Sequence, residues 1–586
     1  MEGAGAVDPV TLEVVRNALV AYADEMAAVL CKTAYNLMIY EVRDYCVGLV
    51  DPEGGIIAQN TGGLPIFLAD LGVAIQDGVR RHSRDGFRPG DVLIMNYPYV
   101  CGQHLNNVVI YTPCFHEGEL VAFPAVRAHW LDIGGTRIGF GSNESTEIYQ
   151  EGLQFRSLKL YREGVVNTDL LQMIRDNIRF PDSSLGDLRA QLAACRLGER
   201  RLAELFGRYG RETVRACIRT IWDQSEALAR QAMARLPDGV YEAESFMDND
   251  GMDLGRPVRI HVRVEIAGDE MTVDFSGVDG QVRGSINCGE SGAVAAARVA
   301  FKCVTLPDAP VDEGGFRPLR VVVPRGRFLN ALPPAAMGQW SIPLPTVIDT
   351  ILRALAPAMP DRVPAGHKGD MSGYALYGVE ARSGERFVCM NIMGGGWGGR
   401  PHEDGESAAV SVCQGDVRNV PVELQEMTYP ILVEAHRLRQ DSGGPGRFRG
   451  GLGVELWVRC LQPMLLNVNV ERTRCPPWGL WGGRPGAVNA VLLRESGQPE
   501  ARPMGKLTRF PLKAGDVIGF LTAGGGGYGP PIERAPEQVR LDAIRGYLSQ
   551  DCAREEYGVV LAPDTLEIDQ EATAALRATR RHPDPA

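Results

Sequence analysis

Apolar side chains recur at steps of three and four residues from Leu12 through Val15, Leu19, Tyr22, Met26 and Val29, which predicts a long amphipathic helix. Asp8 and Pro9 in front of it supply an N-cap and a first-turn proline. The period then changes to two. Residues 46–50 and 56–59 read as strands about the turn Asp51-Pro52-Glu53-Gly54-Gly55, and residues 92–99 as a strand-like run after Arg88-Pro89-Gly90-Asp91. Residues 108–112 and 120–126 alternate on either side of the polar turn His116-Glu117-Gly118-Glu119, a hairpin signal. This hairpin carries His104 at the foot of one run toward His129 at the end of the other. Helical periodicity returns over 168–179, over 187–209 with Leu188, Leu192, Cys195, Leu202 and Leu205 on one face, and over 211–236.

Beyond residue 239 alternation takes over, with strands expected at 241–248, 258–266 and 271–275. Asp248-Asn249-Asp250-Gly251-Met252-Asp253 has the opening of a calcium loop but lacks the glutamate at its twelfth position, so it is read as a turn. Helices are expected at 290–304, 347–358 and 533–549, and a frayed tail at 582–586. Glycines cluster at 394–399, 443–446, 450–453 and 524–527, which positive φ and close backbone approach explain. None of these clusters is a Gly-Lys-Ser/Thr phosphate loop or a spaced dinucleotide fingerprint, so the chain shows no nucleotide site of its own. The pattern predicts an α+β fold in three parts. Residues 1–236 form an N-terminal mixed α/β domain with the histidine hairpin, a candidate metal site, and a helical segment. Residues 237–530 form a larger β-rich, glycine-rich region, and residues 531–586 a C-terminal helix and tail.

Composition narrows the function. With 586 residues, 45% apolar and 23% charged, the chain is an ordinary globular protein too long for one core. A net charge of −12 argues against nucleic acid or an anionic membrane surface as partner. No apolar run reaches the roughly 20 residues of a membrane span, and Met1-Glu2-Gly3-Ala4-Gly5 lacks a signal sequence, so a cytoplasmic protein is expected. Thirteen cysteines without a Cys-x-x-Cys pair indicate neither a zinc ribbon nor a disulfide framework. Cys101, close before His104, is the thiol to watch.

Two neighbouring imidazoles with oxygen donors around them suit a borderline divalent cation, although histidine also serves as a satisfied core residue. Arg43 and Asp44 stand at the entrance to the first strand, either as a local ion pair or with Asp44 as a buried acid that needs a cation. The polar loop 142–152 carries Glu144, Glu147 and Glu151 beside the hairpin and is placed to line a pocket.

These residues carry a resemblance to a known family. Asp8-Pro9-Val10-Thr11-Leu12-Glu13, Pro89-Gly90-Asp91, the segment 102–107, Arg127-Ala128-His129, Asp132-Ile133-Gly134-Gly135 and Thr146-Glu147-Ile148-Tyr149-Gln150-Glu151-Gly152 resemble the hydantoinase B/oxoprolinase family. Asn419-Val420-Pro421-Val422-Glu423, Asp441-Ser442-Gly443-Gly444, Pro476-Pro477-Trp478-Gly479-Leu480 and the segment 524–529 extend the likeness through the second half. The resemblance implies ATP-dependent hydrolysis of cyclic amides such as hydantoins, 5-oxoproline or lactams. It also implies a hetero-oligomer, in which a hydantoinase A-like, ATP-binding subunit phosphorylates the small-molecule substrate and this B-type chain handles the activated species at a metal. Alternatives are a subunit of an acetone- or acetophenone-carboxylase-like ligase and a catalytically silent structural partner.

Mapped by motif, the family's metal ligands fall on Asp44, His104, Asn107 and His129, a set suited to Zn or Mn, while ATP is used by the partner and not by this chain. The sequence departs from the pattern at Asn107 and Trp130, where the family has aspartate and a second histidine, and at Tyr97, where it has an acid. The exchange at Asn107 removes one negative charge from the site. Asp132 is expected to orient His129, Glu147 or Glu151 to act as general base, and Trp130 to make the pocket apolar, favouring an aromatic or alkyl substrate.

Overall fold

The computed structural model describes residues 7–67, 70–139 and 142–581; the expected tail at 582–586 and the first residues of the chain lie outside them. The chain divides into two compact units. The first comprises Met1–Glu242, Ile260–Leu344 and Cys413–Val420, and the second Ala243–Arg259, Pro345–Val412 and Pro421–Ala586. This corrects the three-part linear division expected from sequence. Segment 260–344 returns to the first unit because hydrogen bonds tie it there: Glu313 N–H donates to the Ile56 carbonyl at 2.9 Å and Gly289 N–H to the Gly102 carbonyl at 3.2 Å. Segment 413–420 returns likewise, through Asp416 N–H to the Gly62 carbonyl and Arg418 N–H to the Val42 carbonyl.

The first unit is built on an antiparallel sheet. Its strands are β1 (Tyr45–Val50), β2 (Ile56–Gln59), β3 (Val92–Met95), β4 (Asn107–Tyr111), β5 (Cys114–His116), β6 (Glu119–His129), β7 (Leu158–Arg162) and β8 (Val165–Val166). They lie in the order β2-β1-β6-β4-β3-β7-β8, with β5 on β6. Helix α1 (Pro9–Thr33), capped by the Asp8 carboxylate on Thr11 N–H, and helix α2 (Pro181–Tyr209) bring Leu12, Val15, Leu19, Leu188, Leu192 and Cys195 into one core with Val47, Val108, Ile110 and Val126. Alternation along each strand decides which residues join that core. Val126, Ala128 and Trp130 do; Arg127 and His129 between them face the other way. Gln191 of α2 reinforces the helix side, donating to the Val108 and Val126 carbonyls and accepting the Trp130 indole N–H at 2.9 Å.

A second sheet, in the order Leu319–Val322, Glu270–Asp274, Val258–Ala267, Gly239–Met247, holds the three strands expected from the alternation and adds Leu319–Val322, which was not expected. Helix Glu290–Thr305 matches its expected range closely, and Leu344–Leu355 starts three residues early. Asp248-to-Asp253 is a turn: the Asp250 carboxylate accepts the N–H groups of Met252 and Asp253.

In the second unit a four-stranded sheet holds Gly373–Val379, Arg386–Asn391, Met464–Asn469 and Leu507–Leu512. A five-stranded one holds Ile431–Leu438, Val454–Cys460, Ala490–Arg494, Arg502–Met504 and Val517–Leu521. The glycine clusters are irregular, closely packed backbone. The single helix expected at 533–549 is instead Pro536–Ile544 followed by Gln550–Glu555, because Gly546 breaks it with a φ of 73°. A further helix, Gln570–Arg581, closes the described chain.

Candidate functional site

Three adjacent strands set the site. Asn107 of β4 pairs with His129 of β6 in register, and His129 N–H donates to the Asp44 carbonyl at 3.2 Å, one step beyond the Tyr45–Ala128 pair of β1 and β6. Strand alternation therefore puts Asp44, His129 and Asn107 in a row on the sheet face turned away from α1 and α2. His104 enters from a different direction, after a short helix, Pro98–Cys101, that ends at Gly102 with a φ of 70°. Its ring stands 5.0 Å from that of His129, edge to face at 73°. The proximity expected from the hairpin is thus realised.

Both rings are desolvated. His104 is 7% exposed and His129 2%. Burial lowers the His104 pKa to about 4, against the Gly338 carbonyl and the Asn107 side chain, which favour its proton. Burial and the neighbouring His104 hold His129 well below the usual imidazole range. At pH 7 both are neutral lone-pair donors. His104 Nδ1 lies 3.3 Å from the Gly338 carbonyl, whereas His104 Nε2, both ring nitrogens of His129 and Asn107 Oδ1 have no hydrogen-bond partner. Asn107 is held by its amide, which donates to Gln103 Oε1 at 2.9 Å. Buried polar atoms are rarely left unpaired, so this concentration of unpartnered nitrogen and oxygen atoms marks a candidate site.

Asp44, opposite His129 in that row, is a buried acid. Burial raises its carboxyl to about 7, opposed by the Arg127 guanidinium. Among the described residues, no three His, Cys, Asp or Glu side chains gather closely enough to share an ion. The structure therefore offers two imidazole nitrogens and the Asn107 amide oxygen as donors, and the expected fourth ligand, Asp44, does not join them. Arg43 pairs with Asp416, so the local Arg43–Asp44 ion pair is not formed.

A narrow cleft opens onto His104 and is lined by Asp132, Arg137, Gln150, Glu151 and Gly338 among others. Three expectations for it need correction. Asp132 does not orient His129: its carboxylate accepts Arg179 N–H at 2.6 Å and the Arg179 guanidinium at 2.7 Å, and so fixes the loop after β6. Glu147 is exposed and does not line the cleft. Trp130 does not reach the pocket, because it lies one residue past His129 and so joins the helix-side core. The aromatic neighbour of His104 is instead Trp340, 6.1 Å away edge to face, which stacks on Phe67 at 6.2 Å. Tyr97 packs against Tyr99 and beneath Arg156.

Glu151 is the acid of the cleft. Its oxygens accept Met337 N–H at 3.0 Å and Gly338 N–H at 2.8 Å, yet burial outweighs these donors and raises its pKa to about 8. At pH 7 it therefore holds a proton, which it can donate, and it can accept one only above that value. Because its folded pKa lies above that of an unfolded glutamate, the sign is fixed: a step that draws on this proton runs below pH 8 and slows as pH rises through it. A kcat/KM profile falling on the alkaline side, with that limb lost in Glu151→Gln, is the expected result.

A family model described as hydantoinase B/oxoprolinase matches residues 8–531. The chain belongs to this family. It is 34% identical, over 97% of its length and 98% of the relative's, to a Pseudomonas sp. protein named as the B-type component of a D-/L-hydantoinase. It is 32% identical to the beta subunit of a caprolactamase from Pseudomonas jessenii, over 98% of this chain and 99% of that one. The crystal structure of the ATP-dependent caprolactamase from the same organism superposes with a TM-score of 0.90 at 31% identity, covering 98% of this chain and 100% of that one. An acetone carboxylase structure shares the fold, with a TM-score of 0.90 at 19% identity over 98% of this chain and 83% of that one. Among the described residues of this hydantoinase B/oxoprolinase family member, no helix is long and apolar enough to cross a membrane.

Proposed function

We propose that this chain is the B-type component of an ATP-dependent cyclic-amide hydrolase and opens a lactam-like ring that a hydantoinase A-like partner has phosphorylated. The observation that carries this reading is the pair of neutral, buried imidazoles with unpartnered nitrogens at a polar cleft whose acid, Glu151, keeps its proton at pH 7. The similarity to one chain of a caprolactamase over nearly the whole of both sequences supports the substrate class. The lack of a phosphate loop in the sequence supports a partner that handles ATP.

The donor set fits a divalent ion such as Zn or Mn: His104 Nε2, a nitrogen of His129 and Asn107 Oδ1 would hold it, all three neutral and otherwise unpartnered. Such an ion supplies Lewis acidity toward a carbonyl or a bound water. The protein's own contributions are positional. Gly338 fixes His104 through Nδ1, Gln103 fixes Asn107, and Glu151 stands ready to protonate the amide nitrogen that leaves as the ring opens.

The test is elemental mass spectrometry on the full chain copurified with its A-type partner, together with an ATP-dependent assay on caprolactam, 5-oxoproline and hydantoin. Zn or Mn near one per chain with ring opening is the expected result. A specific observation favours a second reading, the silent structural partner: among the described residues, no carboxylate joins the imidazoles. A metal-free chain in an active complex would select it. ATP-dependent carboxylation of acetone without ring opening would select the carboxylase.

A further inference from the structure

The cleft beside His104 has a guanidinium in its wall. Arg137 lines it together with His104, Asp132 and Glu151, and the three nitrogens of its head are unequally used. Nη1 donates to the Thr136 carbonyl at 3.0 Å and Nη2 to Glu144 Oε2 at 2.7 Å, whereas among the described residues nothing accepts the N–H of the buried Nε. Nε and Nη2 form one edge of the planar group, the edge that grips two oxygens of a carboxylate or phosphate at once. Here that edge is half filled.

The two acids that share the lining do not answer its charge. Arg179 takes both oxygens of Asp132, and Glu151 holds its proton at pH 7. The counter-ion of Arg137 comes instead from outside the lining, in Glu144, whose side chain is 54% exposed against 24% for Arg137. An ion pair with so exposed a member is weak. A second anion therefore displaces Glu144 with little loss, and its release frees both N–H groups of the edge.

We propose that Arg137 is the anion-recognition residue of this cleft, its Nε–Nη2 edge taking an oxyanionic group of the substrate for which Glu144 keeps the place. Two groups have that chemistry: the phosphoryl of an activated ring, and a carboxylate that the ring itself carries. The inference rests on the reading of the chain as one that receives a phosphorylated cyclic amide, and it names the residue that retains it. Retention matters because an O-phosphorylated lactam that escapes is cleaved at its P–O bond. Water's oxygen joins phosphorus, the ring nitrogen regains a proton, and lactam and phosphate result, so ATP is consumed and no ring is opened.

The experiment uses the full chain with its A-type partner and counts ADP formed per ring opened. Arg137→Gln, which removes charge and edge together, is expected to raise that ratio about tenfold or more, the weight of one hydrogen bond to a charged group. Arg137→Lys, which keeps the charge without the edge, should fall between. Calorimetric titration of the full chain, stripped of metal by a chelator, with inorganic phosphate gives a readout that needs no turnover. Arg137→Gln is expected to weaken phosphate binding about tenfold or more, and Glu144→Gln, which removes the resident anion, to tighten it about threefold. An ion pair that only braces its loop would move both variants the same way.

Caprolactam carries no carboxylate and 5-oxoproline carries one. A raised ratio with both rings assigns the anion to the phosphoryl group; a raised ratio with 5-oxoproline alone assigns it to the carboxylate. A ratio within about twofold of the wild type in Arg137→Gln, for every ring the complex opens, overturns the proposal. So does a wild-type chain that takes up no phosphate at millimolar concentration. A complex that opens no ring but binds phosphate through Arg137 overturns the hydrolase reading and leaves the anion site standing. Should Arg137→Gln melt below the assay temperature, Glu144→Gln decides: phosphate affinity unchanged or lowered in that variant overturns the proposal.

Discussion

Changing His104 and His129 together to leucine is expected to abolish turnover while leaving the fold intact or slightly firmer. Each ring is buried with a nitrogen that nothing in the protein satisfies, and such an atom costs roughly 1–3 kcal/mol. Leucine fills a comparable volume without polar atoms, so the buried penalty disappears while the packing contacts largely remain. The loss is limited to the His104 Nδ1 contact with the Gly338 carbonyl, at 3.3 Å a long hydrogen bond. Activity goes the other way, because both nitrogens that can hold a cation are gone; a loss of at least about 10³-fold is expected, beyond that of one electrostatic element. Thermal melting and ATP-dependent lactam turnover of the same preparation check both halves. Should stability drop by more than about 2 kcal/mol, the imidazoles would be structural and the functional reading of this pair would fail. A variant that stays folded and silent also supplies the metal-free control for elemental analysis.

How far this site can be read from sequence depends on whether its parts are local. His104, Asn107 and His129 sit on two strands joined by one turn, and period-two alternation places His129 and Trp130 on opposite faces, a consequence that adjacency in the chain hides. The aromatic residue against His104 is therefore Trp340, which arrives from more than 200 positions away in a stretch, Met337-Gly338-Gln339-Trp340, with neither helical nor strand period. No local signal marks it. Asp132 looks like a partner for His129 at three residues' distance, yet Arg179, 47 positions on, takes both of its oxygens. Charge pairing of that kind follows from tertiary placement and not from spacing. The division into units fails to follow the chain for the same reason: a few backbone hydrogen bonds draw 260–344 and 413–420 back to the first unit, and no change of period marks where they do so. The first amphipathic helix and the hairpins, whose cause is periodicity, come through within a few residues.

The glycine clusters show the opposite case, a pattern visible in sequence whose main cause is not the expected one. Positive φ explains none of 394–399, 443–453 or 524–527, since no glycine there lies in the left-handed region. Close approach explains them all. A Cβ on Gly525 would fall 1.9 Å from the Trp397 carbonyl oxygen and one on Gly450 1.9 Å from that of Gly525, and the same segments are cross-linked by Gly525 N–H to Gly451 and Gly444 N–H to Gly525 at 2.9 and 2.7 Å. Backbone packed on backbone leaves no side chain to swing away.

Gly525→Ala is accordingly expected to unfold the second unit or leave it insoluble. Relief of an overlap this deep requires moving a segment by roughly an ångström or more, which breaks hydrogen bonds on both of its sides at about 1–3 kcal/mol for each buried group left unpaired. Two or three such losses approach the whole stability of a domain, about 5–15 kcal/mol. The control is Gly505→Ala, where a Cβ meets nothing within 4 Å and melting should stay within about 2 °C of the wild type. A Gly525→Ala protein that melts as the wild type does would mean that these backbone segments yield, and close approach would no longer account for the glycines that fill them.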